Sequence, residues 1–342
     1  MKTILITGGA GFIGSNFVKY IYNKYADYRI IVLDALTYAG NPNNLSDEIK
    51  KNDRFEFWYG DVQNSEIVNA LVQQSDVVVH FAAETHVARS IYSNKQFFMT
   101  DVLGTHTITN AVLKNQKSID RFIHISTSEV YGTAEQRPMT EEHPLNPRSP
   151  YASAKTGADR LVYSYFATYD LPVVIVRPFN NYGPSQHLEK VVPRFIANAL
   201  LDEPLTIHGD GSSKRDWLYV EDHCEALDKI IHADIEKVKG EVFNIGTGRS
   251  IDVLTIARMV LDELGKPESL IKYLDDRPGQ VVEHIADTSK AEKVLNWKYR
   301  TEFEDGLKKT IRWSEENQEM WKELLWMRTI PIVTASGEVQ EH

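Results

Sequence analysis

Apolar residues in the first half of the chain fall into short runs separated by longer segments with helical spacing. The runs are Ile4–Ile6, Ile30–Leu33, Phe55–Tyr59, Val77–Phe81, Phe122–Ile125 and Val173–Val176. Between several of them lie segments whose pattern predicts helices, at about Gly11–Tyr25, Ser65–Gln73, Thr100–Asn115 and Tyr151–Tyr169. Short β-rich runs alternating with helices predict βαβ units and a parallel sheet. Val77-Val78-Val79 is apolar on both faces, as a strand covered by helices on both sides requires. The expected fold class is therefore α/β, with a doubly wound parallel sheet.

After about Pro178 the texture changes. Pro184, Pro193, Pro204, Gly209 and Gly211 crowd the chain, and shorter helical patterns appear at Pro193–Leu201, Val220–Ile231, Val253–Leu264 and Thr288–Leu295. This predicts a smaller C-terminal α/β lobe with irregular connections. The expected division is a dinucleotide-binding domain over 1–180, with return segments near 215–247, and a mainly substrate-binding lobe over 181–342. The tail from Trp313 begins as a helix and continues as Thr329–Thr334, an extended arm with no role readable from sequence.

Composition narrows the functional classes. A chain of 342 residues, 42% hydrophobic, can bury a large core without covalent staples. Its formal net charge of -10 argues against non-specific binding to nucleic acid or to an anionic membrane, since both need a positive field. Cys224 is the single cysteine, so neither an intrachain disulfide nor a cysteine metal cluster is available. No ligand-spaced cluster surrounds His86, and no metal is expected. Apolar runs such as Leu171–Val176 are too short to span a bilayer. Nothing resembling a secretory signal precedes the first strand, so a cytoplasmic location is expected.

The first strand ends in Thr7-Gly8-Gly9-Ala10-Gly11-Phe12-Ile13-Gly14. Glycines between a strand and a helix let the backbone approach a pyrophosphate and aim the helix N-terminus at its charge. The second strand ends at Asp34, 20 residues beyond Gly14. A carboxylate there accepts hydrogen bonds from ribose hydroxyls and repels a 2′-phosphate, which predicts NAD rather than NADP. Asp61 and Val62 follow the third strand, where an acid can meet the adenine, and Ala82 and Ala83 end the fourth with the small residues that close packing needs.

Tyr151 and Lys155 stand four residues apart at the start of a predicted helix, on one face. A nearby ammonium is expected to lower the tyrosine's pKa, so that the pair can take a hydroxyl proton while hydride leaves the carbon. Their partner segment, Ser126-Thr127-Ser128-Glu129, follows the strand Phe122–Ile125 at the carboxyl end of the sheet, where doubly wound proteins bind ligands.

These motifs resemble the extended short-chain dehydrogenases/reductases, in the branch of nucleotide-sugar dehydratases, decarboxylases and epimerases. The similarity runs from Met1 to about Trp313 and includes Leu36–Asn41, Ala82–Ser90, Arg177–Pro184, Arg215–His223 and Asp276–Gly279. It is greatest to dTDP-glucose 4,6-dehydratases. The resemblance implies a Rossmann fold, bound NAD, a nucleotide-diphosphate sugar substrate and a cycle in three steps. Tyr151 is the base for oxidation at C4, with Thr127 holding the oxygen; Glu129 removes the C5 proton as the C6 hydroxyl leaves; hydride then returns to C6. It also implies cofactor contacts at Asn181 and substrate contacts at Thr85, His86, Asn180, Lys190, Val191, His208, Arg215, Asn244 and Arg277. A homodimer is expected through the helices near Thr100–Asn115 and Tyr151–Tyr169.

Some positions depart from that pattern. Close relatives carry Thr-Asp-Glu, in which the Asp protonates the departing hydroxyl; here the middle residue is Ser128, a poor general acid that can relay a proton or hold a water. The GDP-mannose dehydratases, whose pattern Thr127-Ser128-Glu129 resembles, also lack that Asp and their Glu does both jobs, so dehydration is still expected. Ala88, His208 and Gln280 replace a usual Asp, Tyr and His, which points to an altered sugar or nucleotide preference, such as room for an N-acetyl group. UDP-glucuronate decarboxylases share Thr-Ser-Glu, but typically place an arginine after the Tyr-Gly-Pro turn, where this chain has Ser185-Gln186-His187. A 4-epimerase needs no C5 base and leaves Glu129 idle. An NAD-binding sensor is the non-enzymatic alternative; such proteins often lose the Tyr or the Lys, and this chain keeps both.

Overall fold

The computed structural model describes residues 1–275, 281–328, 331–333 and 337–341. The apolar runs of the first half form strands β1 (Lys2–Thr7), β2 (Tyr28–Asp34), β3 (Phe55–Tyr59), β4 (Val77–His80), β5 (Arg121–Ile125) and β6 (Val173–Pro178). The second half adds β7 (Asn180–Tyr182), β8 (Leu205–His208), β9 (Lys214–Tyr219), β10 (Val242–Ile245), β11 (Ser250–Asp252) and β12 (Ile271–Leu274), and the tail adds β13 (Pro331–Val333) and β14 (Val339–Glu341).

Seven strands form one parallel sheet in the order β10-β6-β5-β4-β1-β2-β3. Ile4 and Ile6 pack into one apolar layer and Leu5 into the other, which is why the run carries no polar alternation. The first layer includes Phe17 and Ile21 of the helix Phe12–Lys24 and Leu227 of the helix Val220–His232. The second includes Val68 of Ser65–Val72, Ile108 of Thr105–Lys114 and Val162 of Pro150–Tyr169. Strand order reverses between β1 and β4, and the crevice outside their carboxyl ends is where such sheets hold ligands.

The smaller lobe is built on a β11-β9-β7 sheet and a β12-β8 pair. Its core joins Phe195, Ile256 and Leu307, from helices Val191–Leu200, Val253–Glu263 and Phe303–Glu316. The chain does not stay in this lobe. The helix Val220–His232 and β10 return to the main sheet, where β10 pairs with β6.

Three local features differ from the sequence pattern. The helix expected over Thr100–Asn115 begins as a π-helical segment, Phe98–Gly104, whose wider turn carries the buried Asp101. Its Oδ1 accepts the N–H of Glu84 at 2.8 Å. A short helix, Val87–Tyr92, follows β4, with His86 Nδ1 accepting the N–H of Arg89 at 3.3 Å as its cap. In the tail, β13 pairs antiparallel with β14 and packs against Val87–Tyr92; Thr329, Ile330 and Thr334 of the expected arm lie outside the described residues.

The helix Pro150–Tyr169 is anchored by charge. Tyr151, Lys155 and Asp159 are spaced four apart and all buried against the sheet. Asp159 receives Arg177 of β6 through Nε at 2.9 Å and Nη2 at 3.0 Å. Arg177 Nη1 donates to the Tyr131 hydroxyl at 3.0 Å, which donates to Asn244 Oδ1 on β10 at 2.6 Å. Burial pushes the Asp159 carboxyl up, but Arg177 more than reverses this and holds it below the usual carboxylate range. Asp159→Ala leaves a buried guanidinium without its counter-ion and is expected to cost about 3–5 kcal/mol, measured by denaturant unfolding. A loss below about 1 kcal/mol, the scale of an exposed pair, shows that the pair does not anchor the helix.

Candidate active site

One cleft runs along the carboxyl ends of β1, β4, β5 and β6. Its walls include Gly8, Gly11, Phe12, Ile13, Gly14, Asp34, Asp61, Val62, Ala82 and Ala83 at one end, and Thr127, Ser128, Glu129, Tyr151, Lys155, Asn180, Asn181, Lys190 and Val191 at the other. Thr85 also lines it.

The glycine turn is packed backbone to backbone. Gly8 has φ +71°, and a Cβ there would sit 2.7 Å from the amide nitrogen of Ala82. A Cβ on Gly14 would sit 2.2 Å from the Gly8 carbonyl oxygen. The helix that follows has no side-chain cap, so its first-turn N–H groups are left for an anion. Asp34 Oδ2 accepts the N–H of Ala10 at 2.9 Å and Oδ1 that of Leu36 at 2.8 Å. Burial raises this carboxyl's pKa and those two bonds oppose the rise. Each oxygen keeps a lone pair for a ribose hydroxyl. An uncapped helix end, a turn too tight for side chains and a fixed carboxylate together fit a dinucleotide.

At the other end, Ser149 caps the helix Pro150–Tyr169 through the N–H of Ala152 at 3.1 Å and so fixes Tyr151. Lys155 Nζ donates to the Ile125 carbonyl at 2.6 Å. Thr127 Oγ1 accepts the N–H of Glu129 at 3.2 Å, opening the turn Ser128–Tyr131. The expected lowering of the Tyr151 pKa is not what the geometry produces. Burial pushes the phenol well above the ordinary range, and the opposing hydrogen bond comes from Thr127 rather than from the Lys155 ammonium. Burial also lowers Lys155, against the pull of Asp101 and Asp159.

The remaining sequence candidates divide. Lys190 Nζ donates to the Thr85 carbonyl at 2.9 Å and lies 3.7 Å from Glu189. Asn181 Oδ1 meets His223 Nδ1 at 3.0 Å, and its Nδ2 donates to the Phe179 carbonyl at 2.9 Å. Arg215 is close enough to Glu129 for the carboxylate to raise its pKa, although burial lowers it more. His86, Ala88, His208 and Arg215 are not among the described residues lining the cleft. His208 Nδ1 meets the Asp275 carbonyl oxygen at 3.1 Å. Asn244 needs correction as a ligand candidate: it is fully buried in β10, its Oδ1 accepts from Tyr131, and its Nδ2 donates to the Met139 carbonyl. Arg277 and Gln280 lie outside the described residues.

The chain matches the family described as GDP-mannose 4,6 dehydratase over residues 5–310. It belongs to that family. It is 45% identical to the low-salt glycan biosynthesis protein Agl12 of Haloferax volcanii, over 90% of this chain and 97% of that one. It is 39% identical to a dTDP-glucose 4,6-dehydratase of Escherichia coli, over 94% and 96% of the two chains. A crystal structure of a double mutant of the dTDP-glucose 4,6-dehydratase of Streptomyces venezuelae, with NAD bound, superposes with a TM-score of 0.89 at 38% identity, covering 95% of this chain and 100% of that one. The chain is an NAD-dependent nucleotide-sugar 4,6-dehydratase.

Two residues of the dehydratase escaped the sequence reading. Glu189 has a fully buried side chain and accepts from Arg89 Nε and the Tyr38 hydroxyl, both at 3.0 Å. Its place beside Lys190 was the available signal. His284 lies behind Ser128 and Glu129, and no motif marks it. Among the described residues, no group of three His, Cys, Asp or Glu side chains is placed to hold a metal ion, and no helix is long and apolar enough to cross a membrane. Gly14→Ala drives a methyl group into the Gly8 carbonyl and is expected to weaken NAD binding about tenfold or more by titration calorimetry, as overpacking of about 1–3 kcal/mol implies. Unchanged affinity shows that the turn does not hold the cofactor.

Proposed function

We propose that this cleft converts a nucleotide-diphosphate hexose into its 4-keto-6-deoxy form, with Thr127, Glu129, Tyr151 and Lys155 as the working groups. Bound NAD supplies the hydride acceptor for C4 and the hydride donor for C6. Thr127 holds the C4 oxygen and Tyr151 removes its proton. Tyr151 accepts that proton in its phenolate form, which the hydrogen bond from Thr127 favours against the effect of burial, with the Lys155 side chain held behind it on the Ile125 carbonyl. The C4 ketone acidifies C5, Glu129 removes that proton, and the C6 hydroxyl leaves as water.

The observation carrying this reading is the carboxylate of Glu129 on the same wall as Thr127 and Tyr151. Oxidation at C4 alone leaves that base without work; elimination across C5 and C6 requires it. The glycine turn with Phe12 and Ile13, Asp34, Asp61, Val62, Ala82, Ala83 and Asn181 are assigned to the cofactor. Thr85, Asn180, Lys190 and Val191 are assigned to the sugar nucleotide, with His86 and Arg215 in support. The assignment divides the chain into a cofactor domain over 1–180, joined by the returning segment, and a substrate lobe. A single cysteine, buried and free, suits a cytoplasmic location.

The test is mass spectrometry of the enzyme with NAD and dTDP-glucose, UDP-glucose, UDP-GlcNAc, GDP-GlcNAc, GDP-mannose or UDP-glucuronate. Loss of one water from one of them is the expected result and names the sugar. Loss of carbon dioxide from UDP-glucuronate, or inversion at C4 alone, replaces this reading. Tyr151→Phe is expected to stop turnover while sparing NAD binding. Glu129→Gln is expected to retain C4 oxidation while water loss falls at least about 100-fold.

We also propose a homodimer. Phe98, Leu103, Tyr163 and Tyr169, on the segments Phe98–Lys114 and Pro150–Tyr169, are exposed, with Leu103 at 48% and Tyr169 at 50%. Apolar residues exposed together on neighbouring helices suit a self-complementary face. Light scattering is expected to give twice the chain mass for the wild type and the chain mass for Leu103→Glu; a monomeric wild type disproves the assembly.

A further inference from the structure

Elimination of water poses a proton-balance problem. A base at C5 gains a proton and the departing hydroxyl needs one. Glu129 is a fitting base, but the neighbouring group, Ser128, has a hydroxyl too weakly acidic to donate alone at neutral pH. The side chain that meets both is His284. Its Nδ1 lies 3.4 Å from Ser128 Oγ and 3.8 Å from Glu129 Oε1. Its Nε2 lies 2.7 Å from the Gly132 carbonyl oxygen. A carbonyl only accepts, so Nε2 carries the ring proton and Nδ1 presents its lone pair to the serine and the glutamate.

The ring is held from several sides. The His284 N–H donates to the Lys214 carbonyl at 3.2 Å, Met139 N donates to Ile285 O at 2.9 Å, and Ala286 N donates to Asp216 Oδ2 at 3.0 Å. Phe179 packs its edge against the imidazole at 6.3 Å between centroids. Ser128 and Glu129 line the cleft, whereas His284 is fully buried behind them. Among the described residues, Arg215 and His143 also act on it electrostatically. Burial lowers its pKa, Glu129 favours the imidazolium, and Arg215 opposes it. It rests neutral and able to accept a proton.

We propose that His284 is a positioning and relay residue that returns the proton taken from C5 to the departing hydroxyl through Ser128. This rests on the dehydratase reading above. Glu129 takes the C5 proton; the C5–H electron pair becomes the C5–C6 π bond, and the C6–O bond breaks with its pair on oxygen. The Glu129 carboxyl passes its proton to His284 Nδ1. Ser128 gives its hydroxyl proton to the leaving oxygen, which departs as water, and His284 restores the proton on Ser128 Oγ. The three side chains end as they began, and no outside acid or base is consumed. The C6 oxygen therefore belongs on the Ser128 side of the cleft.

The experiment compares the wild type with His284→Phe and His284→Gln, using dTDP-glucose and UDP-glucose as parallel probes. Both variants remove the proton-carrying ring, and glutamine keeps a polar group there. Steady-state water loss is expected to fall about 100-fold in both, with KM changed by less than about threefold. In single turnovers, reduced-nicotinamide absorbance is expected to form at the wild-type rate and persist, because C4 oxidation proceeds and elimination stalls. Ser128→Asp added to His284→Phe supplies a carboxyl of its own and is expected to restore water loss at least about tenfold. Water loss at the wild-type rate in either variant overturns the relay, as does loss of C4 oxidation in parallel with elimination in both. If the wild type removes water from none of the nucleotide sugars in the screen, the dehydratase reading falls and the relay with it. If the wild type works and the variants match it, only the relay falls.

Discussion

The structure depends on one buried ion pair, Asp159 with Arg177, both nearly inaccessible to water. Neither charge is tolerable there alone, so the helix Pro150–Tyr169 and strand β6 must meet in one register. That register carries Tyr151 and Lys155 two turns and one turn before Asp159 on the same face. Tyr131 extends the network from the turn that follows Thr127, and Asn244 extends it from the last strand of the sheet. The groups proposed for catalysis and the polar groups of the core thus form one connected unit. A shift of the helix that misplaced the tyrosine would also expose an unpaired guanidinium to an apolar interior.

The same dryness governs the chemistry. Burial raises Tyr151, lowers Lys155 and raises Asp101, so each is pushed toward its uncharged form. In such surroundings a charge formed during reaction interacts strongly with the few dipoles and ions fixed around it.

Much of this was legible in the sequence where meaning is local. The strands showed because both of their faces are covered, which leaves continuous apolar runs. The cofactor turn showed because glycine spacing, helix start and strand-end acid fall within one short stretch. Tyr151 and Lys155 showed because four residues make one helical turn. What was missed depends on burial or on distant partners. The tyrosine's raised pKa is a property of its enclosure, and no spacing rule reports that. Asn244 reads as a ligand candidate until Tyr131 and Met139 are seen to occupy its amide. His284 has no informative neighbours in sequence; it gains significance only because a strap pinned at Lys214 and Met139 brings it behind residues far earlier in the chain. The helix Val87–Tyr92 is too short to show a periodic pattern.

The path of the chain between the lobes has a consequence for how this enzyme can diversify. Having entered the smaller lobe at β7, the chain comes back to lay down the helix Val220–His232 and β10 on the main sheet, then leaves again. Each lobe therefore contains sequence from both sides of the other. No single crossover point separates a cofactor cassette from a sugar cassette. A new preference must be reached by changes at individual positions along the cleft, because exchanging the whole C-terminal half would also exchange the edge of the nucleotide-binding sheet.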